Sequence, residues 1–265
     1  MPAALREALE AACHPLADAP LTRLPDKGLA HDHVRLEGTG LLARVPKQSQ
    51  MGLSAADNLA YQQACFERAG AGGHTPRLHG VLAPSDVLPR GALLVEEIVG
   101  RPARLPEDLP ALARSLACLH GLPLPAPAGR PPLRADGDPL QALSDEICTQ
   151  AFWWSQAGVH ENVTRCLQDG LADLSARCAQ TARPLVTLVA FDAHPGNFIV
   201  RPDGSAVLVD LEKCRYSYPG LDLAHATLYT STTWDIDGRC ELSTEAATGF
   251  YREWTKRVGA ATGQA

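Results

Sequence analysis

The spacing of apolar residues over the first hundred positions predicts a small sheet with helices. Residues 3–13 carry apolar side chains at near-helical spacing, which predicts a short amphipathic helix. The stretches HDHVRL and GLLARV predict two strands, and the EGTG between them is a hairpin turn signal. The segment SAADNLAYQQACFERAG begins at a Ser N-cap candidate and ends at Gly, so it predicts a helix. RLHGVLA and GALLVEEIV predict two further strands.

The pattern changes after about residue 100. Nine of the 21 prolines fall between Arg101 and Leu140. The segment DLPALARSLACLHGL keeps a helical spacing between these proline-rich loops. Further along, the pattern predicts helices at 140–181, 221–231 and 241–258, and strands at 185–190, 198–201 and 205–212.

These two patterns predict an α+β fold with two lobes and no internal repeat. A small N-terminal lobe of antiparallel sheet plus helix takes residues 1–100, and a larger, mainly helical lobe takes residues 101–265. A linker is predicted at Val99–Pro106. With 265 residues, 45% of them hydrophobic, the chain is long enough for a sizeable core.

Composition excludes several classes of function. The net charge of −6 gives no support for a nucleic-acid-binding surface. The eight cysteines are scattered without a C-x-x-C pair, which argues against a zinc ribbon or a disulfide framework and fits a reducing cytosol. The N-terminus lacks the apolar core of a signal peptide, and no apolar run approaches the ~18–20 residues of a membrane span. We therefore expect a cytoplasmic protein that binds neither nucleic acid nor membrane.

The stretch VAFDAHPGNFIV concentrates ligand-type side chains between two predicted strands. Asp192, His194 and Asn197 surround a Pro-Gly pair, and Asp210 follows at the end of the strand AVLVD. Two acids and a carboxamide at neighbouring strand ends suit a hard divalent cation such as magnesium, which prefers oxygen ligands. Asp192 is also placed to act as a general base on a hydroxyl beside that ion.

The same residues allow other interpretations. Asp, Asn, Pro and Gly are turn formers, so the stretch taken alone is more often a polar turn. A metal-dependent hydrolase would use Asp192, His194 and Asp210 around a metal ion, and His194 is otherwise a loop-packing residue. For Trp153, Trp154 and Trp234, core packing is favoured over an aromatic box that binds a quaternary ammonium group.

The ordered set of motifs resembles the aminoglycoside phosphotransferase and choline kinase superfamily, which has a protein-kinase-like fold. DAHPGNFIV resembles the catalytic loop D-x-H-P-x-N, and LVDLEKCRYSYPGLDLAHA resembles the metal-binding stretch and the helix after it. PDKGLAHDHVRL resembles the nucleotide loop, LLARVPK the strand with the basic residue, and LLVEEIVGRPAR the hinge strand. These matches run in family order from about residue 24 to residue 226.

This resemblance implies an ATP- and Mg²⁺-dependent kinase that transfers the γ-phosphate to a hydroxyl of a small-molecule acceptor. Asp192 is implied as the catalytic base, and Asn197 and Asp210 as magnesium ligands. Glu212 is implied at a second metal or near the acceptor. Arg44 takes the place of the phosphate-binding lysine. The acceptor is implied to be choline, ethanolamine, thiamine or an aminoglycoside, and the protein a monomer or homodimer.

The resemblance also implies residues that contact the nucleotide and a residue that braces the catalytic loop. Gly28 is implied to contact phosphate, and the backbone around Glu96 and Ile98 to meet the adenine. Asp222 is implied to brace the catalytic loop by accepting backbone hydrogen bonds. Lys47, three residues after the basic position, competes with Arg44 for the phosphate.

Three departures from the family pattern favour an alternative. Ala190 stands where the family usually has a histidine, and the nucleotide loop has only one glycine, Gly28. At the place of the expected glutamate the helix 54–69 has Tyr61, Gln62 and Gln63, with Glu67 one turn later. The alternative is a pseudokinase, a nucleotide-binding or partner-binding module without turnover.

Overall fold

The computed structural model describes residues 1–25, 30–234 and 238–262. Its N-terminal region combines two helices with five strands. In chain order these elements are α1 (Pro2–Ala11), β1 (Leu21–Arg23), β2 (His31–Leu36), β3 (Leu41–Pro46), α2 (Ala55–Gly70), β4 (Leu78–Leu82) and β5 (Ala92–Glu96).

The five strands form one antiparallel sheet in the order β1-β2-β3-β5-β4. The hairpin between β2 and β3 turns through Gly38 and Gly40, which have φ angles of 76° and 70°, a region that glycine enters without steric cost. Helix α2 starts at Ser54, whose side chain accepts the backbone N–H of Asp57. The predicted hairpin and this predicted helix are therefore both present.

The remainder of the chain is mainly helical. Its elements are β6 (Arg101–Pro102), α3 (Leu109–His120), α4 (Pro139–Ala151), α5 (Glu161–Cys178), β7 (Thr187–Val189), β8 (Phe198–Val200), β9 (Ala206–Leu208), β10 (Arg215–Ser217), α6 (Gly220–Thr227), α7 (Tyr229–Thr233) and α8 (Thr244–Thr262). Strands β6, β8 and β9 form a three-stranded sheet, and β7 pairs with β10. Helix α3 packs along α8.

Two apolar cores hold these elements together. The larger core joins α2 and β5 to α3, β8, β9 and α8, and its fully buried aromatic side chains are Phe66, Phe198 and Phe250. The smaller core lies where Leu5 and Leu9 of α1 pack against the five-stranded sheet. Burial of a large apolar side chain stabilises a fold by about 1.5–3 kcal/mol. Because the larger core includes α2 and α3, apolar contacts fix the sheet region against the helical region.

The architecture confirms the predicted α+β, protein-kinase-like fold, with differences in detail. The predicted linker contains β6, which pairs with β8. Gly100, directly before β6, lies so close to β8 that a Cβ atom at this position would sit 2.5 Å from the carbonyl oxygen of Val200. The predicted helix 221–231 is two helices, because the chain turns to an extended ψ of 141° at Leu228. Just before that turn, the Thr227 hydroxyl bonds back to the Leu223 carbonyl oxygen, a contact that weakens a helix.

Two predictions are not tested by the described elements. The boundary between the lobes at residues 100 and 101 stays a prediction. Gly28, expected in the nucleotide loop, lies outside the described residues. Among the residues that are described, no helix has the length and apolar character needed to cross a membrane.

Candidate active site

The loop that carries Asp192 is held by Asp222. Asp222 lies in the first turn of α6 and is fully buried. Its carboxylate accepts the backbone N–H of Ala190 at 2.7 Å and of Phe191 at 2.8 Å. Phe191 has a φ of 64°, a left-handed backbone that costs a non-glycine residue about 1–3 kcal/mol. The two charge-assisted hydrogen bonds help to offset this strain.

His120 completes the surroundings of Asp222. Its Nε2 lies 3.0 Å from Asp222 Oδ2, and both side chains are fully buried. Its Nδ1 accepts the indole N–H of Trp254 at 3.0 Å, so the ring proton belongs on Nε2, which donates to the carboxylate. Both ring nitrogens of His120 therefore have partners within the fold. Ala190, where the family histidine is absent, is fully buried beside this group.

The Asp192 carboxylate faces two cationic or basic side chains. Lys213 Nζ donates to Oδ2 at 2.7 Å, and His225 Nδ1 lies 3.7 Å from Oδ1. The side chain of Asp192 remains 20% exposed, so its carboxylate is within reach of a ligand. Neither Lys213 nor His225 was assigned to the site from sequence, although Lys213 directly follows the VDLE motif.

Asn197 and Asp210 are brought together by the β8–β9 hairpin. The Asn197 side-chain N–H donates to the carbonyl oxygen of Asp192 at 2.8 Å, which orients the amide and leaves its oxygen as the free ligand atom. The backbone N–H of Val209 donates to the carbonyl oxygen of Asn197 at 2.9 Å, which sets Asp210 beside it. The structure thus joins Asp192, Asn197 and Asp210 in one site, as the sequence predicts.

Arg44 reaches this site from β3. Its Nη2 lies 3.0 Å from Asp210 Oδ1, and its Nη1 donates to the carbonyl oxygen of Val209 at 3.0 Å. Burial raises the pKa of Asp210, but the nearby charge of Arg44 and the His31 ring outweigh it, so that the pKa lies below its usual range. The Arg44 guanidinium also packs 5.4 Å from the Phe66 ring centroid. Arg44 is therefore held as a buried cation at the point where the sheet meets the catalytic loops.

The partner of Arg44 is not an acid of α2. The α2 residue in this region is Gln62, and its Oε1 lies 2.9 Å from Nε2 of the buried His31. The Glu67 carboxylate instead accepts a hydrogen bond from the Gln63 side chain on the exposed surface of α2. Among the residues that the structure describes, Asp210 takes the acidic position beside Arg44.

His31 and Glu212 have pKa values displaced in opposite directions. Burial, followed by the charge of Arg44, lowers the pKa of His31 to about 3. Burial, followed by the charge of Asp210, raises the pKa of Glu212 to about 7. Glu212 Oε2 lies 3.6 Å from His31 Nδ1, and its Oε1 accepts a hydrogen bond from Gln50 at 2.8 Å. At neutral pH His31 is thus neutral, and Glu212 is near its midpoint.

The residues expected at the adenine lie at the end of β5. Glu96 N–H donates to the carbonyl oxygen of Arg77 at 2.8 Å, and its carboxylate pairs with Arg201 at 2.9 Å. Ile98 follows two residues later and is partly buried. These residues lie on the segment that connects the sheet to β6, as the hinge interpretation requires.

An aromatic and imidazole group lies beside the catalytic loop. The His194 ring lies 5.7 Å from that of His225 and 5.4 Å from that of Trp234, measured between centroids. Burial lowers the pKa of His194. Trp234 is 64% exposed and Trp153 is 60% exposed, so the core-packing interpretation is wrong for both. The spacing of their apolar neighbours gave no sign of this, because helix pattern alone does not show which face is covered.

The hydrolase alternative lacks its metal cluster. Over residues 1–25, 30–234 and 238–262, no group of three His, Cys, Asp or Glu side chains is arranged to hold a metal ion. Asp192, His194 and Asp210 therefore do not form the ligand set that this alternative requires. An Asn–Asp pair that shares a magnesium ion with phosphate oxygens needs no such cluster.

Comparisons with known proteins identify the family of the chain. A model of the family described as "Phosphotransferase enzyme family" matches residues 13–258. A search of curated proteins returns no match.

Solved structures with the same fold include kinases of several small molecules. A choline/ethanolamine kinase family protein from Mesorhizobium loti has 19% identity and a TM-score of 0.62, with 96% of this chain and 79% of that chain covered. Aminoglycoside phosphotransferase APH(3'')-Id from Streptomyces rimosus has 20% identity and a TM-score of 0.56, covering 98% and 95%. ADP-bound aminoglycoside phosphotransferase APH(2'')-Ib has 11% identity and a TM-score of 0.61, covering 96% and 85%.

At such low identities these likenesses show the fold, whereas the family match covers nearly the whole chain. The chain therefore belongs to the phosphotransferase enzyme family.

Proposed function

We propose that this chain transfers the γ-phosphoryl group of ATP, in a Mg²⁺-dependent reaction, to a hydroxyl of a small molecule. The observation that carries the proposal is the joint placement of Asp192, Asn197 and Asp210 on two hydrogen-bonded loops, with Arg44 of the sheet beside them. A partly exposed acid, two oxygen ligands and a buried cation make up the set that phosphoryl transfer uses.

The donor atoms fit a magnesium ion. The Asn197 side-chain nitrogen donates to the carbonyl oxygen of Asp192, so the side-chain oxygen of the same amide is available as a ligand. Asp210 offers a carboxylate that stays ionised because its pKa is lowered. Hard oxygen donors of this kind are what magnesium prefers. When bound there by Asn197 and Asp210, the ion would supply positive charge that offsets the negative charge developing on the phosphates during transfer.

The sheet side supplies the nucleotide contacts. Arg44 is the proposed phosphate ligand, and it must exchange its contact with Asp210 for one with a phosphate oxygen. The backbone after β5, at Glu96 and Ile98, is the proposed adenine contact, and Gly28 is the proposed loop residue over the phosphates. The ADP-bound relative supports nucleotide use by this fold. We place the boundary between the two lobes at residues 100 and 101.

Asp192 acts on the acceptor. Its carboxylate orients the hydroxyl in line with the γ-phosphate and takes up the hydroxyl proton as the new O–P bond forms and the bond from the γ-phosphorus to the ADP leaving group breaks. Lys213 holds one carboxylate oxygen, which leaves the other for the acceptor. Asp222 fixes the backbone that aims Asp192, and Glu212 lies at the metal or acceptor edge of the site. The catalysis is by positioning and by charge, rather than by covalent chemistry of the protein.

The acceptor class is proposed from the same family. Choline, ethanolamine, thiamine and aminoglycosides are the proposed candidates, and the exposed Trp234 beside His194 lies where an acceptor would approach. The second candidate function is a pseudokinase, favoured by one observation. Arg44 has Asp210 as its acidic partner, and its other neighbour, His31, is bonded to Gln62 of α2 rather than to an acid of that helix.

The test is ATP consumption by the purified chain with Mg²⁺ against a panel of hydroxylated acceptors. Asp192→Asn, which keeps the shape of the side chain, is expected to lower kcat by about 10²–10⁴-fold while the melting temperature stays close to that of wild type. Asp145→Asn, at an exposed position on α4, is the matched control. Nucleotide binding without turnover for any acceptor supports the pseudokinase. Full turnover in Asp192→Asn would exclude Asp192 as the base.

A further inference from the structure

Phe191 is a strained residue at a sensitive place in the chain. It immediately precedes Asp192, and its φ of 64° lies in the left-handed region that favours glycine. Its ring gives it no advantage over glycine in adopting that backbone. The direction in which Asp192 leaves the main chain depends on this angle, so whatever holds Phe191 also holds the proposed base.

Asp222 holds only the main chain of this residue. It accepts the N–H groups of Ala190 and Phe191. The Phe191 ring is held separately, by Arg215 of β10, whose guanidinium carbon lies 3.5 Å from the ring centroid. At this distance the guanidinium is stacked on the ring face, where cation–π attraction and dispersion both act.

Arg215 is fixed in turn by α4. It is 8% exposed, and its Nη1 donates to Glu146 Oε1 at 3.2 Å. Glu146 also pairs with Arg134, which lies in the segment before α4. The Arg215 Nε is buried without a hydrogen-bond partner in the described part of the chain, so the guanidinium is held by the ring and by Glu146. A buried arginine kept in this arrangement has little freedom to leave the ring.

We propose that Arg215 is a positioning residue for phosphoryl transfer, which acts through the Phe191 ring to fix the direction of Asp192. This inference rests on the proposed function, because it assigns Arg215 a role in aiming the proposed base. It also connects α4, through Glu146, to the geometry of the catalytic loop. A ligand or substitution that moves α4 would then change kcat without touching a reacting atom.

The experiment is a double-mutant cycle between Arg215 and Phe191 in the full chain. Arg215→Met removes the stacked cation and keeps an apolar stem of similar length. We expect it to lower kcat by about 10–100-fold, since small misplacements of a reacting group cost about that much, and to leave the KM for ATP within two-fold of wild type. In the Phe191→Gly background the ring is absent, so the same substitution is expected to change kcat by less than two-fold.

Amide hydrogen exchange over residues 189–197 is measured on the same four proteins, because it does not depend on turnover. Arg215→Met is expected to speed exchange in this loop. Arg130→Met is the matched control: it removes a guanidinium stacked 5.6 Å from the ring of Tyr216, the next residue of β10, away from the catalytic loop. We expect it to leave kcat and the exchange of the loop unchanged.

The outcomes separate this inference from the proposed function. Equal losses of kcat for Arg215→Met in the two backgrounds would overturn the role of the ring. Unchanged exchange of the loop would overturn it as well, even in a protein that shows no turnover. Absence of turnover in wild type together with faster exchange in Arg215→Met would reject the kinase assignment but retain Arg215 as the residue that holds the loop.

Discussion

Lys213 Nζ and Asp192 Oδ2 are 2.7 Å apart, which pairs the proposed base with a cation. Both side chains are partly buried, at 25% and 20% exposure. The pairing holds Oδ2, while Oδ1 lies 3.7 Å from His225 Nδ1; in the proposed reaction Oδ1 is the oxygen that would meet the acceptor hydroxyl. A carboxylate bonded through one oxygen is thus already oriented before the acceptor arrives.

Lys213→Met is expected to lower kcat by about ten-fold, because the freed carboxylate rotates away from the in-line geometry. The KM for ATP should change little, since Lys213 contacts Asp192 rather than Arg44 or Asp210. Lys213→Arg restores a donor of the same charge and should recover part of the rate. Steady-state kinetics on the three proteins measures this, and an unchanged kcat in Lys213→Met would show that the pair does not orient the base.

Much of the fold could be predicted because its signals are local. The hairpin at Gly38 and Gly40 and the cap at Ser54 depend on neighbouring residues, which the sequence shows directly. The break at Leu228 was missed although the Thr227–Leu223 contact beside it is local. The pairing of β6 was missed because it depends on a contact with β8, a distant part of the chain. Local pattern does not report such contacts.

The site could be predicted only as far as its motifs reach. Asp192, Asn197 and Asp210 lie within short motifs, and the resemblance of those motifs to the family places them together. The stacking of Arg215 on Phe191 and the contact of His120 with Asp222 join residues that lie 24 and 102 positions apart. No spacing rule links such pairs, so only the three-dimensional arrangement shows them.

Arg44 and Lys47 compete for the phosphate in the sequence interpretation, and the structure favours Arg44. Its guanidinium already lies beside Asp210, where the phosphates would bind. Arg44→Met is therefore expected to raise the KM for ATP by ten-fold or more, while Lys47→Met stays within about three-fold of wild type. Rates of both variants at varied ATP concentration measure this KM, and their melting temperatures check that each variant is folded. A larger effect of Lys47→Met would reverse the assignment.

His120 supports Asp222 from α3, and its loss should destabilise the protein. His120→Leu leaves the buried Trp254 N–H without its acceptor and Asp222 without one donor. Each unmet buried group costs about 1–3 kcal/mol, so the free energy of unfolding should fall by roughly 2–5 kcal/mol. His120→Gln, which keeps a donor and an acceptor, should lose less. Urea unfolding of both variants measures this; equal stability of His120→Leu and wild type would show that the contact has no net value.

His31 and Glu212 should make opposite contributions to the pH dependence of stability. The pKa of His31 is lowered to about 3, so its contribution is full above the ordinary value of 6.5 and is lost as pH falls below it. The pKa of Glu212 is raised to about 7, so its contribution is full below the ordinary value of 4.5 and is lost as pH rises through 7. Between pH 5 and pH 7.5 the two contributions oppose each other in wild type.

Single substitutions should separate the contributions of His31 and Glu212 to the pH dependence of stability. His31→Gln leaves the Glu212 contribution, so this variant should gain roughly 2 kcal/mol relative to wild type when the pH falls from 7.5 to 5. Glu212→Gln leaves the His31 contribution and keeps an oxygen for the hydrogen bond from Gln50, so it should lose a similar amount over the same change. Urea unfolding at both pH values, in EDTA and without nucleotide, measures the two differences. If both variants followed the wild-type pH dependence, neither buried group would titrate as the structure implies.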